Sequence, residues 1–121
     1  MGFDLPSGDT LEPDVSFVSR ERLAAVPRPI PDHFLRLVPE LVVEVLSRGG
    51  ARRDREEKGS IYAKNGVLEY WIVDPARARI EGYRLRGEAL ELHSAHESGR
   101  IVSNVLSGLA ISVEELFDEL A

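Results

Sequence analysis

The chain has no cysteine, one methionine and one tryptophan. Without cysteine there is no disulfide framework and no thiolate site for zinc or an iron–sulfur cluster. The same absence fits a reducing compartment, so a cytoplasmic location is the expectation. No apolar run reaches the length that a membrane-crossing helix needs, and no charged-then-apolar leader opens the chain, so no membrane partner is expected. Positive charge is also scarce: 15 Lys and Arg stand against 21 Asp and Glu, a formal net charge of −6. A protein that coats nucleic acid regardless of sequence is usually basic, so that role is disfavoured. An enzyme that meets DNA through a local basic edge stays compatible with the balance. Walker-type and Rossmann-type glycine loops are missing, and Ser107-Gly108 lacks the Gly-x-Ser-x-Gly frame of a nucleophile elbow.

What is present is ordinary for a globular protein. Of 121 residues 43% are hydrophobic and 30% charged, which suits one domain over residues 1–121 with a real core. The organising stretch is Leu41 to Ser47, LVVEVLS, bounded by Pro39 and Gly49-Gly50. A short, valine-rich apolar run of this kind reads as a buried strand. Glu44 in its middle needs compensation, because a lone ionised carboxylate is costly to bury. A structural ion pair with a following arginine and a metal site are both open readings.

Before this strand, residues 2–12 read as the tail of a strand and a turn, followed by PDVSFV (13–18) with a period of two. A hairpin is expected, with Asp14 near one end of its second strand. SRERLAAV suits a short helix capped by Ser19. Pro27, Pro29, Pro31 and Pro39 then make residues 27–40 a surface loop. After the central strand, residues 51–66 read as a helix stopped by Asn65-Gly66, with Asp54, Lys58, Ile61 and Tyr62 on one face. LEYWIVD (68–74) is a further strand. Strand, helix, strand at this spacing is a βαβ unit with parallel strands. ARIEGYRL and ALELHS form a hairpin around Arg86-Gly87, and a short strand follows Gly99. ISVEELFDEL closes the chain as an amphipathic helix, with Ser112 and Glu115 as a capping box, Leu116, Phe117 and Leu120 as the apolar stripe, and a solvated acidic face.

Asp14 and Glu44 thus lie on two adjacent sheet strands, with Lys58 on the next helix. Hard cations such as magnesium take one or two carboxylates plus water, and a nearby ammonium can orient the attacking water. His93, His96 and Glu97 do not have the order HExxH and read as exposed, neutral histidines, and His33 has no partner in the pattern. Tyr70 and Trp71 read as core packing. Arg48, Arg52, Arg53 and Arg55 read equally as a helix-start surface or as a phosphate-facing edge.

PDVSFV, LVVEVLS, the helix with DREEK and IYAKNG, and LEYWIVDP, in that order, resemble the Uma-type restriction-endonuclease family of the PD-(D/E)XK nuclease superfamily, over about residues 2 to 120. The resemblance implies an α/β (α+β) mixed sheet, a restriction-endonuclease-like core with flanking helices. It implies metal-dependent endonuclease cleavage of DNA, with Mg2+ or Mn2+ as cofactor. Asp14 matches the aspartate of the PD motif and Glu44 the acidic residue of (D/E)XK. Leu46 stands where that motif has lysine, and Lys58 takes the lysine's place from the following helix. Asp54 and Tyr62 match supporting helix positions, and Arg48, Arg52, Arg53 and Arg55 become the DNA-binding edge.

Family members begin with an N-terminal helical region that this sequence lacks. The expectation is a truncated core with its first helix missing and an apolar patch favouring a homodimer. The alternative function is a non-catalytic interaction module that self-associates or pairs with a partner. A metal-dependent hydrolase of another phosphoester is a third reading.

Overall fold

The computed structural model describes residues 2–27, 34–47 and 51–120, the side chains of residues 51–54 excepted. The chain opens with a small hairpin, β1 (Phe3–Asp4) against β2 (Thr10–Leu11). Strand β3 (Val15–Phe17) does not pair with either. It joins β4 (Leu41–Val45) antiparallel, so the hairpin expected between the first strand and PDVSFV is corrected. The turn at Gly8, with φ of 92°, closes β1 on β2, and β3 leaves for the edge of the main sheet. Between β3 and β4 lies helix α1 (Arg20–Ala24), and Ser19 Oγ caps it by accepting from the Arg22 N–H at 3.2 Å.

The main sheet has the order β3-β4-β5-β6-β7, where β5 is Glu69–Asp74, β6 Arg79–Arg86 and β7 Ala89–His96. Helix α2 (Ala51–Lys64) makes the crossover between β4 and β5, which run parallel with Glu44 opposite Ile72. The βαβ reading holds because a parallel neighbour cannot be reached by a tight turn. Helix α2 stops where Gly66 takes φ of 86°, a conformation that glycine adopts without steric cost. β6 and β7 form a long hairpin closed by Gly87-Glu88, and the strand register slips between Gly82 and Tyr83, leaving His93 as an extra residue on β7.

Both faces of the sheet are covered. On one, Leu41, Val43, Trp71, Val73 and Ile80 pack against Ile101 and Val113. Ile101 lies on β8 (Arg100–Val102), the short strand expected after Gly99, and Val113 opens helix α3 (Val113–Leu120). Absent from the sequence reading is β9 (Ala110–Ser112), which pairs with β8 in a small sheet and leads into α3. On the other face, Val42, Tyr70 and Ile72 pack against Tyr62 and Val67, so α2 covers this side. Burial on both faces is why β4 and β5 read as continuous apolar runs rather than alternating ones. A third cluster joins Phe3 and Leu5 to Leu35 and Leu37. The end of the proline-rich segment is therefore core, not a surface loop; residues 28–33, with His33, lie outside the described residues.

Two readings of α3 also change. Ser112 does cap it, through the Glu115 N–H at 3.3 Å. Leu116 and Phe117 pack on the core, whereas Leu120 is exposed. Its acidic face is not purely solvated, because Glu114 accepts from the Gly99 N–H at 2.9 and 3.1 Å and ties the helix to the turn before β8.

Candidate active site

The β3–β4 register pairs Val15 with Val43 and Ser16 with Val42. One residue further along the same register, Asp14 faces Glu44. Directly opposed residues of an antiparallel pair project to one side of the sheet, and here it is the side covered by α2. The two acids are stitched by reciprocal hydrogen bonds. The Asp14 N–H donates to Glu44 Oε1 at 2.9 Å, and the Val45 N–H donates to Asp14 Oδ2 at 2.7 Å. Asp14 is exposed, whereas Glu44 retains only 4% of its accessible surface.

Helix α2 supplies the third group. Lys58 Nζ stands 2.8 Å from Glu44 Oε2, an oxygen that is shut off from solvent. The ammonium is the countercharge for this buried oxygen. A buried carboxylate is tolerable in this setting because an ammonium and a backbone N–H share its charge. Asp14, Glu44, Ser47, Arg55, Lys58 and Tyr70 line a cavity of about 260 Å³. Arg55 is held from behind, with Nη1 3.6 Å from Glu81 Oε1. Glu81 also accepts from the Tyr83 hydroxyl at 3.0 Å and lies 3.4 Å from Arg79 Nε. Burial, reinforced by the Glu81 carboxylate, pushes the Tyr83 phenol above its ordinary value of 10.0, against the opposing charges of Arg55 and Arg79.

The structure therefore brings Asp14, Glu44, Lys58 and Arg55 to one point. Tyr62 is not among them. It is buried in the core with its ring edge-on to Tyr70, centroids 5.4 Å apart, and Tyr70 is the tyrosine that lines the cavity. One turn along α2 separates Lys58, beyond the end of the apolar face, from Tyr62, well inside it. Arg48 and the side chains of Arg52, Arg53 and Asp54 lie outside the described residues. Glu81 escaped the sequence reading, although the alternation of RIEGYRL placed it and Tyr83 on one face. His93 is exposed on β7, as expected.

Among the described residues no cluster of three or more His, Cys, Asp or Glu side chains is present. The two carboxylates suit a hard cation that takes one or two protein oxygens and leaves its other positions to water and phosphate. They do not suit a caged calcium or zinc site, which needs more protein ligands.

Residues 1–114 match the family model described as "Uma2: Putative restriction endonuclease". The chain belongs to the Uma2 family. A solved structure similar to this Uma2 chain is that of a putative nuclease belonging to DUF820 from Anabaena variabilis. It shares 23% identity and a TM-score of 0.71 over 98% of this chain and 64% of that one. At this identity the likeness is one of fold, and it bears out the mixed sheet with flanking helices expected from the sequence. The Uma2 chain spans less than two thirds of that protein's length. No match is found among the curated proteins. No helix of the described residues is long and apolar enough to cross a membrane.

Proposed function

We propose that this Uma2 chain is an endonuclease hydrolysing DNA phosphodiester bonds with a divalent cation, magnesium or manganese. The observation that carries the reading is the convergence of Asp14 and Glu44 from adjacent strands with the Lys58 ammonium from α2. A buried carboxylate could have been neutralised by an ion pair alone. Here a second carboxylate lies beside it, in a cavity open to a phosphate-sized group.

Asp14 and Glu44 would hold the cation. When bound, it supplies Lewis acidity toward the phosphate and a lowered pKa for the attacking water. Lys58, anchored on Glu44, donates to that water or to a non-bridging phosphate oxygen, and so orients attack and offsets the charge that builds on the phosphate. Arg55, braced by Glu81, binds an adjoining phosphate oxygen. In the hydrolysis one P–O bond forms from water and the P–O bond to the sugar breaks. One water proton ends on the departing sugar oxygen and the other on the new phosphate monoester.

The test is cleavage of supercoiled plasmid with and without magnesium or manganese. Asp14→Asn and Glu44→Gln are expected to lower the rate at least about 100-fold, the size of effect typical for a group acting on transition-state charge, with an unchanged circular dichroism spectrum. Cleavage by both variants at the wild-type rate overturns the proposal.

A further inference from the structure

A second, larger cavity of about 570 Å³ opens beside the first, between α2 and the closed end of the β6–β7 hairpin. Arg55 and Tyr70 line both, so the two adjoin. The second is walled by Ala63, Ile72 and Leu90 and by the rings of Tyr70 and Tyr83, whose centroids lie 6.1 Å apart with planes tilted by 38°. Gly59 lies in this wall. It sits inside helix α2 and is not among the glycines with positive φ, so the backbone does not require it. A Cβ there would stand 3.6 Å from Tyr70 Cε2, in ordinary contact. What the glycine does is leave the space beside the ring unfilled, at a cost in helix propensity.

The two cavities differ in charge. Arg55 and Lys58 mark the one at Asp14 and Glu44. The larger cavity shares Arg55 and adds Glu56, Ser60 and Glu88. A phosphate is drawn more to the first cavity, with Arg55 and Lys58, than to the second, which adds two carboxylates. An aromatic, flat group fits the second, where carboxylates accept hydrogen bonds from amino groups. We infer that the larger cavity takes one unpaired nucleobase bearing an exocyclic amino group, next to the phosphodiester held at Asp14 and Glu44. This rests on the phosphodiester reading above. The base stacks on the half-buried ring of Tyr83, a mode that single-stranded nucleic acid sites use widely, and its amino group donates to Glu88 or Glu56. The substrate nucleotide is then one out of the duplex stack: a single-stranded, bulged or extruded base.

The experiment is an NMR titration of the full chain, without metal, with free deoxycytidine and with thymidine. Deoxycytidine is expected to shift the amide signals of Gly59, Ala63, Tyr83 and Leu90 saturably, with an affinity about tenfold above that of thymidine. Ser60→Trp and, from the opposite wall, Ala89→Trp start from exposed positions and fill the groove; each is expected to abolish the shifts while the rest of the spectrum stays dispersed. Asp14→Asn is expected to leave them in place. Absent shifts, equal binding of thymidine, or shifts that survive both tryptophan variants overturn the inference. Because free nucleosides bind without being cut, loss of plasmid cleavage and loss of nucleoside binding are separate results.

Discussion

Lys58 reaches Glu44 from the opposite layer of the fold, its ammonium 2.8 Å from the carboxylate's buried oxygen. The helix and the central strand are therefore joined by charge at the point where the chemistry is proposed. Removing the ammonium leaves the carboxylate without a countercharge. Lys58→Met is expected to lower stability by about 1–3 kcal/mol in urea denaturation, the low end of what breaking a buried pair costs, because the lysine is about one-third exposed. Millimolar manganese should restore part of the melting temperature in this variant and none in the double variant with Glu44→Gln. Equal stability of Lys58→Met and wild type without metal would show that the pair does not hold the site.

Glu69 is a second buried carboxylate, on the other face of the sheet and with a different task. It accepts from Trp71 Nε1 at 3.0 Å, from the Ser103 hydroxyl at 2.6 Å and from the Asn104 N–H at 3.1 and 3.2 Å. All its partners are uncharged, and they fasten the segment after β8 to the start of β5. Glu69→Ala strands several donors and is expected to cost about 3 kcal/mol, with a shift of Trp71 fluorescence that precedes global unfolding in denaturant. A loss under about 0.5 kcal/mol, the level of an ordinary surface change, would contradict this role.

Gly59→Ala places a methyl group in ordinary contact with Tyr70 and removes a glycine from a helix interior. Stability should rise by about 0.5–1 kcal/mol. A higher urea midpoint at unchanged slope is the expected readout.

The Glu114 carboxyl is held below its ordinary value of 4.5, chiefly by the Gly99 N–H. A lowered carboxylate value contributes stability that is present above 4.5 and is lost as pH falls through the lowered value. Glu114→Gln should therefore flatten the acid limb of a melting-temperature profile and leave its slope near neutrality unchanged. Identical acid limbs would show that the bond from Gly99 is not kept in solution.

The parts of the site legible in the sequence were those with a local contradiction. Glu44 stood out because a carboxylate interrupts a valine strand, and Lys58 because helical spacing set it one turn before an aromatic core residue. Asp14 was found at the end of its strand, and that strand was set beside the strand of Glu44, as β3 and β4 are. The hairpin also expected with the first strand did not form, since nothing local says that β1 turns back on β2. Glu69 went unremarked within LEYWIVD, and apart from Trp71 its donors come from a loop more than thirty residues away. Glu81 and Tyr83 matter through Arg55, a relation made only when the hairpin folds against α2. Tyr70 is core packing, as read, and also lines the cavity, whereas Tyr62 is core and not at the cavity, because helix phase alone does not say how deep into the sheet each turn reaches.

The unmatched residue at His93 has an effect on the outer rim of the sheet. β7 offers its free edge in two pieces, Ala89–Leu92 and Ser94–His96, with a twist between them. A strand from another molecule can zip along either piece but not through both, so the rim is a poor template for endless stacking and keeps the fold from growing into fibres.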